Sequence, residues 1–198
     1  MSKYKNSLNY KNGIYIELGA NDGYFQSNTK WLEDELEWKG ILIEPSTNGY
    51  NSCLNIRPNN KIFNCACVSF EYEKNEVMGD FNGHAMSSIN GDRLNNKNSL
   101  VYVKARTLQS IIDECGYREI DFLSLDVEGY EIEVLKGINF KQQKIKHMLI
   151  EVYEKDKNDI FNFLEKNNYS FIENVTNFNL QNNPRWDGTH NDYFFSLN

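Results

Sequence analysis

The sequence predicts an α/β protein of the doubly wound class, a Rossmann-like, mostly parallel sheet with helices on both faces. Three observations carry that expectation. The short apolar runs are nearly continuous rather than alternating, as in strands covered on both faces. Amphipathic stretches separate those runs, and strand alternating with helix implies right-handed βαβ crossovers. A glycine turn follows the first apolar run directly, and sheets of this class bind ligands at the carboxyl ends of their strands. With 198 residues, the chain has the size of one domain and enough length to bury a core. Residues 1–198 therefore read as a single unit.

Taken in order, the first strand is Ile14–Leu18, followed by a helix whose inward residues are Trp31, Leu32 and Leu36. Residues 41–43 and 62–68 read as the next two strands. The tract 70–100 is irregular and polar. A helix over 107–115 follows, with Leu108, Ile111, Ile112 and Cys115 on one face, Thr107 as N-cap and Gly116 as a left-handed stop. Residues 122–125 give a further strand. The helix after Gly129 turns Ile132 and Leu135 inward, carries Lys136 in its last turn and ends at Gly137. Residues 148–152 form a strand, and Ile160, Phe161 and Leu164 mark the last helix. A second loop-like tract spans 174–191, and the two irregular tracts are candidates for the substrate side.

Hydrophobic residues make up 40% and charged residues 25% of the chain, ordinary values for a globular protein. The net charge of −7 argues against gripping nucleic acid by broad phosphate neutralisation, which needs a basic face. Neither a signal-peptide core nor an apolar run long enough to span a bilayer is present. A soluble, cytoplasmic protein, monomeric or homodimeric, is expected. Cys53, Cys65, Cys67 and Cys115 lack zinc-ligand spacing and read as reduced, mostly buried thiols.

The stretch "YIELGANDGY" places a turn, opened by Gly19 and closed by Gly23, between the first strand and its helix. Backbone can approach a ligand there without obstruction by a side chain. Asn21 occupies the place of the second glycine in the G-x-G-x-x-G fingerprint, where pyrophosphate would lie against bare backbone. Glu44 ends the second strand about twenty residues beyond the turn, where a carboxylate can accept both ribose hydroxyls. Glu17, at the start of the turn, would repel pyrophosphate but suits a cofactor with an ammonium and a sulfonium, as in S-adenosylmethionine. Two other classes are kept: a nicotinamide-dependent oxidoreductase on the same sheet, and a cofactor-binding module without activity.

"IELGANDGYFQSNT", "GILIEPS", "FNCACVS", "LSLDVEGYEIEVLKG" and "LIEVYE" together resemble the successive motifs of FkbM-type S-adenosylmethionine-dependent methyltransferases. The resemblance runs from about residue 13 to residue 197, with "DVEGYE" its most specific part. It implies an O-methyltransferase acting on a hydroxyl of a sugar or glycan, a deoxyhexose such as rhamnose, and a sheet that closes on a reversed strand, which His190–Leu197 suits. By the same resemblance Gly19, Asn21 and Gly23 wrap the methionine moiety; Ala20, Ser27 and Ser46 are further expected cofactor contacts. Glu44 takes the ribose, Ala66 and Cys67 border adenine, and Asp126 lies beside the transferred methyl. Ser69 stands where the family often has an acid.

The candidate catalytic residues are Asp126, Glu128, Glu151 and His190. Capping of the following helix is the plainer alternative role for Asp126 and Glu128, whereas Glu151 sits inside an apolar run, where an acid is costly to bury alone. Asp126 is the first choice as general base. A divalent cation, Mg²⁺ or Mn²⁺, held by Asp126, Glu128 or Glu151, is the alternative. For the acceptor, His84 and Ser87 in the first irregular tract and Arg185 and Trp186 in the second are the candidates. A Trp face with an Arg nearby is a common sugar platform.

Overall fold

The computed structural model describes residues 2–81, 86–91, 100–184 and 186–198. Its main sheet has the order β3-β2-β1-β7-β8-β10-β9, built from β1 (Ile14–Leu18), β2 (Lys39–Ile43), β3 (Lys61–Phe63), β7 (Glu119–Leu125), β8 (Lys144–Tyr153), β9 (Tyr169–Asn174) and β10 (His190–Leu197). A second, three-stranded sheet holds β4 (Ala66–Cys67), β6 (Val101–Arg106) and β5 (Glu76–Gly79), in that order. The helices are α1 (Lys3–Ser7), α2 (Lys30–Leu36), α3 (Thr47–Ile56), α4 (Leu108–Cys115), α5 (Glu131–Leu135) and α6 (Lys157–Lys166).

The apolar runs owe their continuity to burial on both faces. Along β1, Ile16 and Leu18 enter one core with Ile43, Leu123, Leu125 and Ile150, backed by Leu108 and Ile112 of α4 and Ile160 of α6. Tyr15 enters the opposite core with Leu42, Phe122 and Leu149, covered by Leu32, Trp38 and Cys53. Successive strand side chains therefore alternate between two dry layers, so no polar face is left to imprint alternation on the sequence. Strand β1 is parallel to both β2 and β7, and β7 is parallel to β8. Chain order thus reverses between β1 and β7, and a crevice opens outside their carboxyl ends at such a point. β10 runs antiparallel to β8 and β9, the reversed closing strand expected from the resemblance.

Helix α4 forms as anticipated: the Thr107 side chain accepts from the Ser110 amide at 3.2 Å, and Gly116 adopts φ 76°. The single strand expected over 62–68 is corrected. It divides at Asn64 and Cys65, and its two halves join different sheets. There the Asn64 side-chain Nδ2 donates to the backbone carbonyls of Glu44 and Pro45, both at 2.9 Å, and ties the break to the end of β2. The tract 70–100 also departs from expectation, because it contains β5 and is bounded by β6. Val77, Phe81 and Ala66 bury a small separate core there, with Ile89 and Val103 against it.

Candidate active site

At the end of β1 the chain must pass within touching distance of β7. Gly19 takes φ 75°, and a Cβ at that position would lie 1.9 Å from the Asp126 carbonyl oxygen. The turn is tied to both neighbours, since the Gly19 amide donates to the Ile43 carbonyl at 3.1 Å and the Asp126 amide to the Leu18 carbonyl at 3.4 Å. Asn21 is left-handed at φ 48°, and its amide donates to Glu44 Oε2 at 2.9 Å. Glu44 Oε1 accepts from the Ser46 amide at 2.8 Å, and the Ser46 side chain caps α3 by accepting from Gly49 at 3.0 Å. One carboxylate thus pins the glycine turn and the start of α3 together at the end of β2.

A cleft of about 600 Å³ opens at this junction. Gly19, Asn21, Glu44, Ala66, Cys67 and Asp126 line it, together with Ser87, Phe81, Ile89 and Tyr130. A second hollow of about 550 Å³ continues on the other side of Gly19, lined by Glu17, Ala20, Ser27, Phe25, Met86 and Ser124, and shares Gly19, Asn21, Asp126 and Glu128 with the first. A third, bounded by Glu128, Tyr130, Tyr153, Lys155 and Thr189, adjoins the cleft at Glu128 and Tyr130. Gly23 lies behind the wall: its φ is 78°, and a Cβ there would press on Arg57 and Cys53.

Glu17 is 4% exposed, and its oxygens are taken up inside the protein. They accept from Ser27 Oγ at 2.9 Å, the Asn28 amide at 2.8 Å and Thr29 Oγ1 at 2.7 Å, and Arg57 Nη1 lies 3.6 Å away. Burial pushes its carboxyl up, while Thr29, Arg57, Ser27 and Asn28 draw it back. Arg57, fully buried, also donates to Glu33, Tyr15, Thr29 and the Gly23 carbonyl. This network fixes the loop after the glycine turn, so Glu17 acts as a positioning residue for the wall that contains Ser27.

The second feature is acidic. Asp126, Glu128 and Glu151 each place one carboxylate oxygen within 4.8 Å of the others. Asp126 and Glu128 follow β7; Glu151 lies near the end of β8, directly opposite Asp192 on β10. Glu128 is held at φ 58°, a sparsely populated conformation for its residue type, and accepts from the Tyr153 hydroxyl at 2.6 Å. Glu131 accepts from the Val127 and Gly129 amides at 3.1 and 3.0 Å and so shapes that loop. His190 Nε2 lies 3.3 Å from Glu151 Oε1. Burial, then Glu128 and Asp192, hold the Asp126 carboxyl well above the usual range; burial and Asp126 do the same to Glu151. Burial raises Asp192 to about 6, and burial raises Glu131 to about 7.

Of the residues singled out in the sequence, Glu17, Gly19, Ala20, Asn21, Ser27, Glu44, Ala66, Cys67, Ser87, Asp126 and Glu128 line the joined cleft. Glu151 and His190 stand behind its acidic end. Ser46 is buried in its capping role. Trp186 is half-buried, its indole donating to the His190 carbonyl at 2.8 Å, and it lines none of these hollows. His84 and Arg185 lie outside the described residues. Tyr130, Tyr153, Phe81 and Ile89 escaped notice in the sequence. Tyr130 and Tyr153 lie inside the motifs quoted above without a role of their own there, and their approach to Glu128 and to the cleft is what marks them.

The profile of the methyltransferase FkbM domain matches residues 17–171. Among solved structures, an FkbM methyltransferase from Methylobacillus flagellatus KT superposes with a TM-score of 0.59 at 15% identity, over 93% of this chain and 43% of that one. This chain therefore spans less than half the length of that relative. Precorrin-6y C5,15-methyltransferase from Geobacter metallireducens GS-15 gives 0.53 at 9% identity, over 98% of this chain and 84% of its own. The 23S rRNA methyltransferase ErmE gives 0.50 at 9% identity, over 100% and 69%. No curated protein matches the chain significantly. Among the described residues, no helix is long and apolar enough to cross a membrane.

Proposed function

This chain belongs to the methyltransferase FkbM domain family, and from that premise we propose that it moves the methyl group of S-adenosylmethionine to a hydroxyl oxygen of a sugar or glycan, a deoxyhexose such as rhamnose. The observation that carries the reading is the junction of Gly19, Glu44 and Asp126 on one cleft. Bare backbone at Gly19 leaves space where strands β1 and β7 part. Glu44 keeps lone pairs for a ribose beyond the two it gives to Asn21 and Ser46. The two hollows that meet at Gly19 match a cofactor with a nucleoside half and an amino-acid half. Ala66 and Cys67 then border the base, and Ala20 and Ser27 the amino acid.

S-adenosylmethionine supplies a methyl already activated by the sulfonium, so one S–C bond breaks as one O–C bond forms and the sulfur keeps the electron pair. The chain's part is to align the acceptor, exclude water and receive the hydroxyl proton. Asp126, at the end of the strand beside the glycine turn, is the residue we assign to that proton. We place the acceptor on the side of Tyr130 and Tyr153, and assign its selection to Ser87 and Trp186 together with His84 and Arg185, which the sequence alone singles out. The net charge of −7 and the acidic end of the cleft favour a neutral acceptor over a nucleic acid.

Mass spectrometry of nucleotide sugars and glycans incubated with labelled S-adenosylmethionine tests the whole reading. Label on a sugar hydroxyl supports it; label only on RNA or on an amine overturns it. By calorimetry, Glu44→Ala should weaken cofactor affinity by about 1.5–3 kcal/mol, the scale of a charge-assisted hydrogen bond; unchanged affinity removes Glu44 from the site. Trp186→Ala should lower acceptor kcat/KM by about tenfold, near the contribution of one aromatic face, with cofactor affinity intact. Unchanged efficiency would take the second loop tract away from the acceptor.

A further inference from the structure

We propose that the outer face of the small sheet carries a second sugar subsite, formed by Tyr72, Met78 and Tyr102, so that the acceptor is a glycan chain of two or more units rather than a single sugar. That the acceptor is a sugar rests on the function proposed above; the second hold along its length is measured by binding, apart from methyl transfer.

Ile89 and Tyr130 are shared by three hollows: the cofactor cleft, the hollow of Tyr153, Lys155 and Thr189, and a further one of about 470 Å³ lined by Tyr72, Lys74, Met78 and Tyr102. Three openings around one pair of side chains make a single branching groove. The hollow of Tyr72 and Tyr102 touches none of Gly19, Glu44 and Asp126, so a unit held there is not the one that reacts. A ligand that fills it and also reaches the cleft has to pass Tyr130, and a chain of linked rings does so.

The pleat of β5 and β6 sets the wall. Val77 pairs with Val103 on the side of the small core, so the next pair, Met78 and Tyr102, faces outward. Tyr102 is 68% exposed there. Tyr72 and Ile89 rest against the small core from the other side, and the Tyr72 hydroxyl donates to the Glu76 carbonyl at 2.9 Å, which fixes that ring at the edge of the groove. Lys74 and Glu76, both exposed, add a donor and an acceptor to the rim. A sugar ring presents an apolar face of C–H groups and a border of hydroxyls that donate and accept, and aromatic rings flanked by one cation and one carboxylate match both. The opposed charges give no net pull on a phosphate, and the net charge of −7 acts against a nucleic acid.

The test applies the full chain, with S-adenosylhomocysteine, to an array of glycans one to four units long and to a peptide array, followed by titration of the best glycan and of its terminal monosaccharide. The longer ligand should bind about tenfold more tightly, the scale of one aromatic contact. Tyr102→Ala should abolish that gain, while Tyr102→Phe, which keeps the ring, and Leu54→Ala, an exposed apolar residue on α3, should retain it. Thermal melting checks the fold; if Tyr102→Ala melts lower, Tyr102→Thr, a better strand former, replaces it. With labelled S-adenosylmethionine, Tyr102→Ala should raise KM for the longer acceptor and leave its kcat unchanged, as for a contact made equally before and during the reaction. Affinity independent of length, a gain that survives Tyr102→Ala, binding to peptides alone, or no glycan bound at all overturns the subsite. A gain that depends on Tyr102 with no sugar methylated supports the subsite and overturns the methyl-transfer reading; equal methylation of short and long acceptors by parent and variant does the reverse.

Discussion

A Gly19→Val protein should lose both S-adenosylmethionine binding and several kcal/mol of folding stability. A Cβ at Gly19 meets the Asp126 carbonyl oxygen at 1.9 Å, and φ is 75°, so a branched side chain is excluded twice, by contact and by backbone conformation. Neither fault can relax cheaply. The Gly19 and Asp126 amides are bonded across to Ile43 and Leu18, and separating β1 from β7 would open the middle of the main sheet. The loss should exceed about 4 kcal/mol, the exceptional end of single substitutions. Gly116→Ala is the control: φ is 76°, but nothing lies within 4 Å of the added carbon, and the cost should stay near 1 kcal/mol. Thermal melting and calorimetry with S-adenosylhomocysteine measure both. Native-like melting and binding in Gly19→Val would show that the turn has room, and the account of the cleft would fail.

The contrast between those two glycines marks how far the sequence can be read. Both close an apolar element and both take positive φ; the sequence tells them apart by the element each follows, a strand or a helix, and not by the space around them. The approach of β7 to Gly19 is what the structure adds. The strands β1, β2, β7 and β8 were legible because burial on both faces erases polar positions and leaves unbroken apolar runs. Strand β6 was not, although Val101, Tyr102 and Val103 favour a strand; it pairs with β4 and β5 in the small second sheet, half-exposed, among polar neighbours. Helix α3 reads as a polar segment rich in Asn, and its capping Ser46 is its main local signal.

The site divides along the same line. Gly19, Glu44 and Asp126 follow their strands directly, and the doubly wound topology brings such positions to one edge. Arg57, which binds the Glu17 network together, arrives from the far end of α3 and carries no local mark. Tyr153 is in the same position, set apart from an ordinary core aromatic only by its hydrogen bond to Glu128. The closeness of Asp126 to Glu151 depends on β7 and β8 being parallel neighbours, a fact of register rather than of spacing.

Replacing Asp126 with asparagine should slow methyl transfer by roughly a hundredfold to ten-thousandfold, the range expected when general acid–base assistance is lost. The substitution keeps the shape of the side chain and its attachment at the end of β7, where the Asp126 amide donates to Leu18. It removes one negative charge from a group that burial, Glu128 and Asp192 already press toward neutrality, so the fold should tolerate it or gain slightly. The rate has no such indifference. An amide cannot accept the hydroxyl proton, and it is a weaker ligand for a cation than a carboxylate, so either chemical role loses its acceptor. S-adenosylhomocysteine should still bind, because Glu44, Asn21 and the hollow around Ala66 and Cys67 are untouched. Single-turnover rates alongside calorimetry separate the two quantities. A slow enzyme with intact cofactor affinity places Asp126 in the chemical step. Near-normal turnover would remove it, and Glu151, paired with His190 at 3.3 Å, would be the next residue able to take the proton.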